Sequence, residues 1–272
     1  MVNQPITTLS NGISMPLLGL GVYDMYNQEA ERAVLDALDI GYRLIDTASL
    51  YENEKEIGNA IRQSGMAREE IFVTTKVGNN DHGFDATLKA FDTSLKKLNM
   101  DYVDLYLVHW PVKGQRKETW LALEKLYQDK RVRAIGVANY LLPFLKELEG
   151  YASITPVLDQ VELTPWLYDK TLVTYCAANR IQLQSYSPIT RGKKLDDPRL
   201  QILCGKYQRT PAQLVLRWNL EHGFSTIPKS SSKQRLQENF DSILFTMDKE
   251  DIAFMDSFNE DFRICDDPMT ML

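Results

Sequence analysis

The sequence predicts an α/β fold: a (β/α)8 TIM barrel with an N-terminal β-hairpin and extra helices in its C-terminal half. Three observations carry this. Eight short apolar segments alternate with amphipathic helical stretches. The 272 residues suit a barrel that commonly runs to about 250 residues as one domain. No long linker or low-complexity stretch interrupts the alternation, so residues 1–272 are expected to form a single domain. The competing open, doubly wound sheet normally binds dinucleotides through a GxGxxG turn. Here Gly19 and Gly21 supply only its first two glycines, and Val22-Tyr23-Asp24-Met25 follows.

The first sixteen residues read as a hairpin turning at Asn11-Gly12, a pair suited to the tight turn between two strands. LLGLGVY (17–23) is the first barrel strand. Residues 28–40 form a helix with Ala30, Ala33, Val34, Ala37 and Leu38 on one face, closed by Gly41. RLID (43–46) is the second strand, and a helix over 53–63 carries Ile57, Ala60 and Ile61 along one side. IFVTTK (71–76) is the third, followed by a helix with Leu88, Phe91, Leu95 and Leu98. YVDLYLVH (102–109) is the fourth, with its helix over 117–129. VRAIGVAN (132–139), PVLDQVE (156–162) and IQLQSYS (181–187) are the fifth to seventh. Helical stretches at 197–207 and 211–222 precede FSTIPK (224–229), the eighth strand, and helices near 232–244 and 249–258 close the chain.

Composition narrows the function. With 31 basic and 37 acidic residues the net charge is −6, which argues against a nucleic-acid or anionic-membrane surface but leaves room for one local basic pocket. Cys176, Cys204 and Cys265 are odd in number and form no CxxC pair, so no disulfide framework or metal site is expected. The opening MVNQPITTLSNGISMP lacks a basic stretch followed by an apolar run. No segment approaches the roughly 18 apolar residues of a membrane span. A cytoplasmic monomer acting on a small molecule is the expectation.

Polar residues at the strand ends carry the chemistry. Asp46, Lys76 and His109 each terminate an apolar strand, and Tyr51 follows the second. In a parallel barrel the carboxyl ends of the strands share one rim, so these four groups meet. A phenol has an ordinary pKa of about 10. A neighbouring ammonium such as Lys76 favours the phenolate and lowers that value, and Asp46 can keep the lysine charged. His109 can donate a hydrogen bond to a carbonyl oxygen, and Tyr51 can protonate the alkoxide formed there. Taken singly, each residue has a structural explanation: a turn cap, a snorkelling lysine, a core histidine, a loop tyrosine. At the other end of the chain, IPKSSSKQR lies between the last strand and a helix start. Free backbone N–H groups and the helix dipole attract anions there, and Lys229 and Arg235 suit a ribose 2′-phosphate.

GYRLIDTASLYENEKEIG (41–58), the lysine closing TTK, LYLVHWP (105–111), DQVE (159–162), QSYSP (184–188) and IPKSSSKQRLQEN (227–239) occur in order. Together they resemble the aldo-keto reductase superfamily, in its 2,5-diketogluconate reductase and prostaglandin F synthase branch. The resemblance implies NADPH-dependent reduction of aldehydes and ketones. Tyr51 would be the proton donor, tuned by Asp46 and Lys76, and His109 would orient the substrate. For the cofactor it implies contacts from Gly21, Val22, Tyr23 and Asp46 beside the ribose, and from Asn139 and Gln160 on the carboxamide. Tyr186 would form the platform under the nicotinamide, with Ser187 and Ile189 along the pyrophosphate. Lys229, Ser230 and Arg235 would hold the 2′-phosphate, and Glu238 and Asn239 the adenine. Tyr23, Met25, Tyr51, His109, Trp110 and the short tail after Phe262 would line a compact pocket for small carbonyl compounds.

Three positions depart from the family pattern: Ala138 replaces a serine, Asp159 an asparagine, and Gly78 stands near a common tryptophan. The loop over 188–196 carries Arg191, Lys193 and Lys194, a clasp, an attractor of acidic substrates or a solvated segment. His82 reads as exposed, and His222 as capping a helix C-terminus. Two other functions suit the same scaffold. One is an NADPH-binding regulatory or partner protein with little turnover. The other is Schiff-base chemistry at Lys76, which a charge-holding Asp46 opposes because a nucleophilic lysine must be neutral.

Overall fold

The computed structural model describes residues 4–271; the first three residues of the hairpin segment lie outside them. Strands β1 (Ile6–Thr8) and β2 (Ser14–Pro16) pair antiparallel, with Thr7 opposite Met15. Eight parallel strands follow: β3 (Leu20–Gly21), β4 (Leu44–Asp46), β5 (Phe72–Val77), β6 (Val103–Val108), β7 (Val132–Ala138), β8 (Leu158–Glu162), β9 (Gln182–Tyr186) and β10 (Ser225–Thr226). Each pairs with its neighbour in chain order. Leu18 bridges to Thr226, and the Gly19 amide donates to the Thr226 carbonyl at 2.9 Å, which closes β3 against β10. At this seam a Cβ on Gly21 would lie 2.8 Å from the Ile227 carbonyl oxygen, so glycine permits the close approach.

Helices surround the strands: α1 (Asn27–Ile40), α2 (Glu54–Gln63), α3 (Phe84–Leu98), α4 (Arg116–Gln128), α5 (Leu142–Glu149), α6 (Lys170–Ala178), α7 (Pro198–Tyr207), α8 (Pro211–Glu221), α9 (Lys233–Phe240) and α10 (Lys249–Asp256). The expected extra helices are α7, which precedes α8 between β9 and β10, and α10. Two helices, α5 and α6, are additional to those expected; Phe144, Leu145 and Leu148 form the buried face of α5. The helix expected over 232–244 divides at Asp241, beyond which the chain tightens into a 3-10 turn. The ladder at β3 is shorter than LLGLGVY because only Leu20 and Gly21 pair with β4.

Strand alternation sorts the core into two layers. One buried cluster lies inside the barrel: Leu44, Phe72, Leu105, Leu107, Ala134 and Leu158, plugged by Leu9 and Met15 of the hairpin. A larger one lies between strands and helices and includes Ile45, Val73, Tyr106 and Val161. Moving along the inward-facing set toward the rim, Leu44 gives way to Asp46, Phe72 to Lys76, Leu107 to His109 and Leu158 to Gln160. The polar site thus continues the same faces that pack the barrel interior.

Asp159 belongs to the opposite face of β8. It is fully buried, and neither carboxyl oxygen has a hydrogen-bond partner. Tyr140 and Cys176 are the titratable groups that feel its charge. Burial pushes its pKa well above the usual carboxylate range, opposed only by a weak approach of the Tyr140 backbone N–H, because a buried carboxylate without a well-formed hydrogen bond has too little to replace its water. Its unfolded-state value is about 3.9, so the folded protein loses stability relative to an uncharged variant as pH rises above that point. Asp159→Asn should therefore raise the melting temperature at pH 8, by the equivalent of about 1–3 kcal/mol, and much less at pH 4.5. An equal shift at both pH values in thermal denaturation would contradict this.

Candidate active site

The carboxyl ends of β4, β5 and β6 bring Asp46, Lys76 and His109 to one rim, as expected, and the turn after β4 adds Tyr51. Lys76 Nζ lies 2.5 Å from Asp46 Oδ1, 3.0 Å from the Thr47 carbonyl and 3.4 Å from the Tyr51 hydroxyl. Three acceptors around one nitrogen match the three N–H donors of an ammonium. Burial pushes Asp46 up and Lys76 down in pKa, and their mutual contact opposes both shifts. Asp46 Oδ2 also accepts from Gln160 Nε2 at 2.7 Å. The donors on Asp46 and the acceptors on Lys76 favour the ion pair against the pull of desolvation.

Tyr51 departs from the expected direction. Burial, followed by the charge of Asp46, holds its pKa well above the ordinary phenol value. The phenol is therefore fully protonated, which a proton donor requires. His109 is pushed well below the ordinary imidazole value by burial, then by the charge of Lys76 and by His82. It is a neutral imidazole, and its Nδ1 has no hydrogen-bond partner. The ring of Tyr51 meets Tyr23 edge-on at 5.1 Å and His109 at 5.6 Å, and Tyr23 is 51% exposed. These rings form one wall of the mouth.

Local hydrogen bonds fix the turn that carries Tyr51. Thr47 Oγ1 donates to Asn53 Oδ1 at 2.7 Å, and Asn53 Nδ2 donates to the carbonyls of Val22 and Met25 at 2.8 and 3.0 Å. Ser49 Oγ donates to the Lys76 carbonyl at 3.0 Å. Val22 and Gly21 are buried beside this turn. Met25 does not line the mouth: it is fully buried in the core. Asp24 (φ 55) and Asn27 (φ 51) adopt left-handed backbone on either side and tuck it inward. Trp110 is half-buried after His109.

Asn139 follows β7 with φ 65, a conformation asparagine tolerates. Its Nδ2 donates to the His109 carbonyl at 2.9 Å, and its Oδ1 accepts from the Tyr186 hydroxyl at 2.7 Å. Asn139 and Tyr186 thus adjoin the catalytic candidates. Ser187 (φ 48), Thr190 (φ 52) and Arg191 (φ 47) are left-handed in the loop after β9, with Ile189 among them. Arg191 lies 5.9 Å above the Tyr23 ring, across the mouth.

The segment after β10 forms a second polar region. Lys229 Nζ donates to the Asp24 carbonyl at 2.8 Å and lies 3.6 Å from its carboxylate, spanning two loops. Ser230 Oγ accepts from the Ser232 amide at 3.2 Å, and Ser232 caps α9 by accepting from the Arg235 amide at 3.4 Å. The Arg235 side chain is exposed, with no carboxylate partner among the described residues. Glu238 Oε1 accepts from Thr210 Oγ1 at 2.7 Å, and Asn239 is buried.

Two histidine expectations need amendment. The ring nitrogens of His82 are buried without partners, and burial lowers its pKa to about 4, so it is not an exposed loop residue. His222 does occupy the C-cap of α8, but its ring bonds Asp256 at 2.8 Å rather than the helix end. Sequence reasoning also missed Glu162 at the end of β8. Its side chain is fully buried and accepts from the amides of Ile264 and Cys265 at 2.7 and 3.0 Å. Arg116 Nη1 donates to the Met271 carbonyl at 3.0 Å, so the tail is tied down at two separated points. A glutamate closing an apolar strand was the available signal.

Residues 17–260 match the aldo/keto reductase family. Glyoxal reductase of Bacillus subtilis is 46% identical over 97% of this chain and 96% of its own length. Methylglyoxal reductase of Escherichia coli is 39% identical, covering 98% of each chain. The crystal structure of a Bombyx mori aldo-keto reductase in complex with NADP superposes with a TM-score of 0.91 at 34% identity, over 98% of this chain and 96% of that one. The chain belongs to the aldo/keto reductase family and is an oxidoreductase.

Because Glu162 holds two tail amides, Glu162→Ala should release them. Amide exchange at Ile264 and Cys265 should accelerate about tenfold, the equivalent of one charge-assisted hydrogen bond of about 1.5 kcal/mol, while β5 and β6 amides keep their protection. Unchanged exchange at both tail positions would show that something else holds the tail.

Proposed function

We propose that the protein reduces small aldehydes and ketones to alcohols with NADPH, and that Tyr51 donates the proton. The carrying observation is the single nitrogen of Lys76 bonded to both Asp46 and the Tyr51 hydroxyl. The carbonyl oxygen of a bound substrate would sit between Tyr51 and His109. Neutral His109 can donate a hydrogen bond that orients and polarises it. NADPH, when bound, supplies the hydride to the carbonyl carbon. Tyr51 then transfers its proton to the resulting alkoxide oxygen, which is far more basic than a phenolate. Lys76 stabilises the phenolate left behind, and Asp46 keeps Lys76 charged and aimed.

The residues present fit a dinucleotide carrying a 2′-phosphate. Arg235, unpaired beside the capped start of α9, offers a guanidinium fork to a phosphate. Ser230 and Lys229 flank it, and Lys229 would exchange its Asp24 contact for the anion. Tyr186, held at its hydroxyl by Asn139, offers a ring face at the rim for the nicotinamide, with Asn139 and Gln160 near its carboxamide. Ser187 and Ile189 would follow the pyrophosphate, Gly21, Val22 and Tyr23 the nicotinamide ribose, and Glu238 and Asn239 the adenine.

For the substrate we favour short 2-oxoaldehydes. Relatives named for glyoxal and methylglyoxal support this, and Trp110 and the tail held by Glu162 would narrow the pocket beside the Tyr23 and Tyr51 rings. Tyr51→Phe should lower kcat at least about a thousandfold, toward the upper range of lost acid catalysis, while NADPH still quenches protein fluorescence with unchanged affinity. Near-normal turnover would remove Tyr51 from the mechanism. Wild type that binds NADPH but reduces no member of a carbonyl panel would instead favour a binding protein. Arg235→Ala should weaken NADPH about tenfold or more and NADH hardly at all; equal losses in a binding titration would refute the 2′-phosphate assignment.

A further inference from the structure

A line of buried polar side chains crosses the barrel interior behind Asp46. Gln160 on β8, Gln184 on β9 and Ser225 on β10 are register partners in adjacent strands, and all three are buried. Gln160 Nε2 donates to Asp46 Oδ2 and to Gln184 Oε1, both at 2.7 Å, and Gln184 Nε2 donates to Ser225 Oγ at 2.9 Å. The direction follows from chemistry. An ionised carboxylate can only accept, so Gln160 must turn its –NH2 end toward Asp46. Its second N–H then needs an acceptor, which the Gln184 carbonyl supplies. Gln184 is thereby obliged to aim its own –NH2 at Ser225.

We propose that Gln184 and Ser225 are positioning residues of the catalytic centre, locking the Gln160 amide in the one orientation that keeps Asp46 ionised and Lys76 charged beside Tyr51. This rests on the catalytic roles assigned to Asp46, Lys76 and Tyr51 above. A flipped Gln160 would set its carbonyl oxygen against the carboxylate, and Asp46 Oδ2 would lose its donor. Desolvation would then carry the buried pair toward a neutral acid and a neutral amine. A neutral amine has one N–H fewer and no charge to stabilise the Tyr51 phenolate. Flipping is resisted because it would also place two amide carbonyls together, and Gln184 could turn to relieve this only if the Ser225 hydroxyl rotated to donate where it now accepts. Such buried networks hold only while every member is satisfied.

The test compares Gln184→Met with Gln184→Glu. Methionine keeps the volume but removes the acceptor. A protonated glutamic acid keeps the pattern, its carbonyl accepting from Gln160 and its O–H donating to Ser225. With NADPH and methylglyoxal, Gln184→Met should lower kcat about tenfold, the rate equivalent of one hydrogen bond to a charged group, leaving the methylglyoxal KM within about twofold. Gln184→Glu should recover most of that loss. In an Asp46→Asn background, Gln184→Met should have no further effect on single-turnover hydride transfer, because the group it serves is gone. If Gln184→Met fails to fold, Ser225→Ala, which removes only the far acceptor, should give a loss of about threefold in the same parameter. An unchanged kcat in the folded variant, equal losses in Gln184→Met and Gln184→Glu, or full additivity with Asp46→Asn would overturn the proposal. Retained activity in Tyr51→Phe would instead show that the underlying catalytic assignment had failed.

Discussion

Burying an ammonium and a carboxylate costs several kcal/mol per ion even after relaxation, and this barrel buries both, Lys76 and Asp46, beneath its carboxyl-end rim with no exposure of the lysine. The ion pair requires the surroundings to supply what water no longer does. The Thr47 carbonyl and Tyr51 hydroxyl complete the shell of Lys76, and Gln160 supplies a donor to Asp46. Much of the neighbouring architecture follows from that demand. The turn after β4 is stapled by Thr47, Ser49 and Asn53, so that the Thr47 carbonyl and Tyr51 hydroxyl face the lysine. A polar level replaces the apolar layers that fill the interior nearer the hairpin.

Strand periodicity made the central site legible. Residues of one parity on a strand share a face, and the apolar runs RLID, IFVTTK and YVDLYLVH end on an ionisable residue of the inward parity. The barrel's eight strands and most helices could be placed by the same reasoning. Contacts between strands distant in sequence were less accessible. Gln184 and Ser225 resemble ordinary strand polar residues until register sets them beside Gln160. Glu162 acquires its partners from a tail more than a hundred residues away. Met25 was placed at the mouth with the pocket lining that the family resemblance implies, whereas it is buried in the core between two left-handed residues. His82 was misplaced because loop position suggests exposure, yet its ring nitrogens are enclosed.

The pKa shifts also refine the chemistry expected of a tyrosine beside a lysine. Burial, followed by the charge of Asp46, raises the phenol value and keeps Tyr51 protonated. In the proposed function Lys76 would stabilise the phenolate as it forms, a contribution concentrated at the transition state and so expressed in rate rather than binding. His109, kept neutral by burial, would complement this by offering a hydrogen-bond donor without adding a second positive charge beside Lys76.

The central claim is that Lys76, held charged by Asp46, enables proton transfer from Tyr51. It is tested most directly by stopped-flow measurement of NADPH oxidation at 340 nm in Lys76→Met, with methylglyoxal in single turnover and cofactor affinity measured separately. Burst transfer at least about a hundredfold slower, with NADPH affinity within about threefold of the parent, is the predicted result. Transfer at the parent rate in the folded, NADPH-saturated variant would contradict the account.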